Sequence, residues 1–154
     1  MSPTLRTVKL FQNKFTIFSI VMMTLYLPMA IAGADSEEQY LAELYKYLHQ
    51  NPELSFKEER TAAYLQNELE TLGFTVTPKV GGHGVVAIME NGEGPTVLIR
   101  ADMDALPVKE ETGLAYASKA TGISIDGGEK PVMHACGHDM HMTVLIGTAR
   151  RLVA

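Results

Sequence analysis

Two hydrophobic periods divide this 154-residue chain, and the switch between them limits what it can fold into. From residue 36 to residue 72, apolar side chains recur at intervals of three and four. Leu41, Leu44, Tyr45 and Leu48 form one such stripe, and Ala62, Leu65 and Leu69 a second, which predicts two helices each burying one face. Pro52 separates them and biases Asn51 away from helical angles. Ser36 with Gln39, and Ser55 with Glu58, are spaced as capping boxes, while Gly73 suits a helix end. From residue 74 the spacing changes. "FTVTPKV" and "GVVAIME" are rich in β-branched residues and flank "GGHG", predicting two strands joined by a turn that exposes His83. "TVLIRAD" is apolar at consecutive positions, as in a strand covered on both faces. Residues 105–131 show no period and predict an irregular surface loop, with Glu110 and Glu111 on a solvated face. "MTVLIGTARRLVA" predicts a last helix entering the core. Helices before and after a run of strands predict an α/β class with layered helices and sheet.

The first 34 residues stand apart from this pattern. They hold Arg6, Lys9 and Lys14 but no acidic residue, and an apolar run leads to Ala30-Ile31-Ala32-Gly33-Ala34. Basic start, apolar middle and small-residue exit predict a signal peptide over residues 1–34, cleaved after Ala32 or Ala34. An uncleaved membrane anchor is the alternative. Either predicts export, to a periplasm or beyond, with membrane contact only through this segment. Of the 13 basic residues three lie in this segment, whereas all 18 acidic residues follow it. Residues 35–154 are therefore strongly acidic, which argues against a nucleic-acid partner. The single cysteine, Cys136, can form no disulfide within the chain.

That cysteine sits in "HACGHDMH", residues 134–141, which holds three of the five histidines. If the segment is extended, Cys136 and His138 point to the same side across Gly137 and can share one ion. Asp139 and His141 would complete or orient such a site, and His134 would line it. A second cluster, "RADMDALP", places Asp102 and Asp104 at the end of the apolar strand, the edge where α/β sheets gather their ligands. Two other readings stay open. Cys136 could be a nucleophile with His134 or His138 as base, or the segment could be a polar loop. His49, next to "NPE", reads as a helix end.

Taken together, "LHQNPELSFKEERTAAYL", "VLIRADMDALPV" and "MHACGHDMHMTVLIGTARRL" resemble successive motifs of a family of metal-dependent amidohydrolases and carboxypeptidases. This family includes hippurate hydrolases, N-acyl-amino-acid deacylases and indoleacetyl-amino-acid hydrolases. The resemblance implies a zinc-exopeptidase-like α/β catalytic domain, of which residues 35–154 match the N-terminal part, without the inserted dimerisation domain. It implies two divalent ions (Mn, Zn, Ni or Co) in a complete site, with Cys136 and His138 as ligands and Asp104 supporting them. Asp102, His134, Asp139 and His141 line the site or stand behind it. The substrates implied are N-acyl amino acids and small peptides, and homo-oligomers are implied only for full-length relatives. In such relatives the general base lies downstream, whereas residues 142–154 contain no His, Asp or Glu. The chain is therefore expected to be an inactive fragment by itself. The alternative is an exported metal- or partner-binding module completed by a second chain.

Overall fold

A computed structural model describes residues 36–154; the segment expected to be a signal peptide lies outside them. Helix α1 covers residues 36–50 of these, and Asn51 ends it by donating its backbone N–H to the Leu48 carbonyl (3.2 Å) and its side-chain amide to the Tyr47 carbonyl (2.7 Å). Residues 41–154 form one compact unit. Within it, the part of α1 from residue 41 onward leads to α2 (Glu59–Thr71), β1 (Thr75–Val80), β2 (Gly84–Ile88), β3 (Thr121–Ile123), β4 (Glu129–Pro131) and α3 (His138–Leu152).

The predicted apolar stripes are the observed core. Leu44 and Leu48 of α1, Ala62, Leu65 and Leu69 of α2, and Met142, Ile146 and Ala149 of α3 are all buried. Tyr47 stacks on Tyr64 with ring centroids 4.5 Å apart, tying α1 to α2. At the other contact, a Cβ added at Gly147 would stand 3.0 Å from a Leu41 methyl, so the glycine lets α1 and α3 approach closely. Among the described residues no helix is long and apolar enough to cross a membrane.

Two small antiparallel sheets accompany the helices. β1 and β2 pair Thr75 with Ile88 and Val76 with Ala87, and the register slips between Thr77 and Val80. Pro78, which has no N–H to give the ladder, sits at that slip. β3 and β4 form a hairpin inside the stretch expected to be irregular. Its turn is Asp126-Gly127-Gly128, a hairpin signature that the three-residue strands on either side made easy to overlook.

Three other expectations are corrected. Residues 96–104 join no strand ladder, and Val97 and Leu98 are 79% and 87% exposed. Covering an apolar strand on both faces requires neighbouring strands, and among the described residues none pairs with this one. Ser55 does not cap α2: that helix starts at Glu59 without a cap from its own N-cap side chain, and Ser55 donates instead to Asp104. The capping acceptor is Glu53, whose carboxylate takes the N–H of Arg60 (3.3 Å) and Thr61 (2.8 Å). Finally, Glu110 is not on a solvated face; its side chain is fully buried, unlike that of Glu111.

Candidate metal centre

A three-stranded seam of backbone places the site. The Ala105 N–H donates to the Glu53 carbonyl (2.7 Å), and Leu106 and Met133 exchange two hydrogen bonds (2.9 and 3.0 Å). Leu54, Ala105 and Val132 fill the core beneath. The strand-like tract therefore becomes ordered by pairing only at residue 105, just after Asp104. This seam brings Asp104 beside Ser55 on one side and the "HACGHD" segment on the other.

Beyond Met133 the chain turns through Ala135 and Cys136, and Gly137 adopts a left-handed conformation (φ 76°) as the residue preceding α3. The segment is thus a turn into a helix, and Cys136 and His138 are not related by the alternation of an extended strand. A glycine is what makes that reversal possible without strain. His138 opens α3, and His141 follows one turn later with its ring centroid 5.6 Å away. Cys136 and His141 are exposed, and His138 is partly so.

His138 is the best-oriented side chain of the group. Its Nδ1 lies 2.8 Å from the Asp104 carbonyl oxygen and 3.1 Å from the Asp104 carboxylate. Both are acceptors, so Nδ1 carries a hydrogen, and in the neutral ring the lone pair is then on Nε2. That is the tautomer of a metal-binding histidine held by a carboxylate. Burial pushes the Asp104 carboxyl upward, but the Ser55 hydroxyl and His138 outweigh it and hold the group below the usual aspartate range. Asp102 goes elsewhere, paired with Arg100 at the surface. The two carboxylates of "DMD" therefore do not act as one pair.

Asp139 points inward. Its carboxylate lies 2.7 Å from His49 Nδ1, and His49 Nε2 lies 3.0 Å from Glu110. His134 is buried, and neither ring nitrogen meets a hydrogen-bond partner among the described residues. Its own burial holds this imidazole below the ordinary histidine value and so neutral. A neutral ring with two unmet nitrogens, an exposed thiol and an imidazole with a free Nε2 form a donor set that suits zinc and similar divalent ions. Among the described residues, however, no three His, Cys, Asp or Glu side chains converge closely enough to hold an ion unaided. His49 and Glu110 were not expected here. They lie 90 and 29 residues from Asp139 in sequence, and only the buried position of a loop glutamate reveals them.

Residues 98–154 match the sequence model of peptidase family M20/M25/M40. The chain is 44% identical over 113 residues to N-acetyl-L-cysteine deacetylase of Bacillus subtilis, covering 73% of this chain and 25% of that protein. It is 42% identical over 118 residues to thermostable carboxypeptidase 2 of Saccharolobus solfataricus, covering 75% and 28%. Its structure resembles Bacillus subtilis YXEP protein, described as a dinuclear metal-binding peptidase of the M20 family. That match has a TM-score of 0.66 and 37% identity, over 77% of this chain and 31% of the other. The chain spans about a quarter of the length of the curated relatives it matches.

Proposed function

Because this chain belongs to peptidase family M20/M25/M40, we propose that it carries part of the metal centre of a hydrolase. The bond cleaved is the amide of N-acyl amino acids or related small peptides. Cys136 and His138 are the ligands this chain contributes, through the thiolate and Nε2. Asp104 is the positioning carboxylate: it fixes the His138 tautomer and is itself steadied by the Ser55 hydroxyl. His134 lines the site and offers one N–H and one lone pair to whatever polar group enters. Asp102 and His141 stand at its rim.

Divalent ions held there would supply Lewis acidity toward an amide carbonyl and toward an attacking water. A general base is assigned to no residue of this chain, so the 154 residues alone are proposed to turn over N-acyl amino acids weakly or not at all. Residues 1–34 are proposed to direct export. The names of the relatives support the reaction class: a deacetylase acting on an N-acetyl amino acid and a carboxypeptidase both hydrolyse an amide beside an amino-acid carboxylate.

The observation that carries the reading is the double anchoring of His138 Nδ1 on Asp104, which leaves Nε2 without a partner among the described residues, two positions along the chain from an exposed thiol. Calorimetric titration with zinc and with manganese tests it. Binding that is lost in both Cys136→Ser and His138→Ala supports the assignment. Binding that survives both substitutions refutes it.

A further inference from the structure

We infer that His49 and Glu110 are positioning residues for the metal centre: together they hold Asp139, and with it the first turn of α3, so that His138 and Cys136 keep one presentation. The inference rests on the reading that Cys136 and His138 are ligands.

The geometry begins with His49 itself. Both of its ring nitrogens face carboxylate oxygens, Asp139 at 2.7 Å and Glu110 at 3.0 Å. Ionised carboxylates only accept hydrogen bonds, so the ring that satisfies both is the doubly protonated one. His49, Glu110 and Asp139 have side chains 5%, 0% and 2% exposed, so water does not screen this linkage. Tyr45 and Tyr116 enclose the ring, with centroids 5.6 and 5.5 Å from it.

The cluster is anchored at both ends. Glu110 also accepts the Thr112 hydroxyl and the Ser118 N–H, and the Ser118 hydroxyl donates to the Val132 carbonyl at 2.7 Å. Val132 lies two residues before His134. At the other end, Asp139 accepts the Met140 N–H with its side chain (2.8 Å), and its carbonyl accepts the Thr143 hydroxyl (2.8 Å). The segment bearing Cys136 and His138 is therefore gripped on both sides through one imidazole.

Gly137 explains why a grip is needed. Glycine at the hinge between the two ligands leaves their relative orientation weakly specified by the backbone. Stability alone is a poor reason for the cluster, because replacing a buried ionic triad with apolar side chains is often neutral or stabilising. What it contributes is direction.

The test uses the 154-residue chain as wild type, His49→Gln, Glu110→Gln and the surface control Glu111→Gln. Zinc affinity is measured by calorimetry, and the imidazole ring-nitrogen signals of His138 by NMR on metal-free protein. The expected result is a roughly 10–100-fold loss of zinc affinity per folded molecule in the first two variants, with displaced His138 signals and no change in Glu111→Gln. Added imidazole is expected to restore binding to His49→Gly. A lower melting temperature with wild-type affinity and unmoved His138 signals overturns the inference, because a merely structural role predicts that pattern. Should His49→Gln fail to fold, Glu110→Gln decides alone. Should the wild type take up no zinc, the ligand assignment fails for this chain, and the metal-free signals still judge the positioning: displaced supports it, unmoved overturns it.

Discussion

Replacing Glu53 removes the acceptor on which the start of α2 depends. Four hydrogen bonds converge on this one carboxylate, from the N–H groups of Arg60 and Thr61, the Thr61 hydroxyl (2.8 Å) and the Arg60 guanidinium (2.9 Å). The Arg60 side chain is 69% exposed, so its ion pair contributes little. The two backbone bonds amount to an N-terminal cap, about 1 kcal/mol. Thr61 is 5% exposed, and leaving its hydroxyl unpaired costs about 1–3 kcal/mol. Glu53→Ala is therefore expected to destabilise the fold by about 3 kcal/mol, which lowers the melting midpoint by roughly 10 °C in a domain of this size. Burial alone would raise the Glu53 carboxyl, yet the bonds from Arg60 and Thr61 prevail and hold it below the ordinary glutamate value. A depressed folded-state pKa contributes stability that is complete above the unfolded value, about 4.3, and disappears as pH falls through the folded one. The gap between wild type and Glu53→Gln, followed by denaturant unfolding monitored by circular dichroism, should therefore shrink as pH falls below about 4. A gap that is negligible at pH 7, or that widens on acidification, refutes the argument.

Other consequences are as direct. Asp104→Asn should weaken zinc or manganese binding by about 10–100-fold, read by calorimetry, because the His138 ring loses its charged acceptor and keeps only neutral oxygens, the residue's own carbonyl among them; unaltered affinity contradicts the role given to Asp104. Cys136 is exposed, so metal-free protein should be alkylated readily by iodoacetamide, and zinc should slow the reaction as followed by mass spectrometry. Equal rates with and without zinc would separate the thiol from the ion. Ile146 is fully buried, so Ile146→Ala should cost about 2–5 kcal/mol in denaturant unfolding; a loss below about 1 kcal/mol would show that α3 does not carry the core.

Why some of this was legible in the sequence and some was not follows from the range of the interactions. Leu44, Leu48, Ala62, Leu65 and Leu69 announce their helices because helical burial repeats within a few residues. The end of α1 before Pro52 is equally local. "TVLI" signalled a buried strand, but pairing depends on partners far away in the chain, and the ladder begins only at Ala105. Ser55 and Glu58 had the spacing of a capping box, yet Glu53 competes better for the helix start because it offers two oxygens. Cys136 and His138 are proposed as a donor pair from chemical type. Their disposition was not legible, since it turns on the left-handed Gly137 and on the anchoring of His138 by a residue 34 positions earlier. The same limit hid His49 and Glu110.

X-ray absorption at the zinc edge of the zinc-loaded chain, with protein in excess, bears most directly on the ligand pair. The account predicts a sulfur scatterer at about 2.3 Å together with nitrogen or oxygen at about 2.0–2.1 Å, and loss of the sulfur in Cys136→Ser. A first shell of nitrogen and oxygen alone in the unsubstituted chain would contradict it.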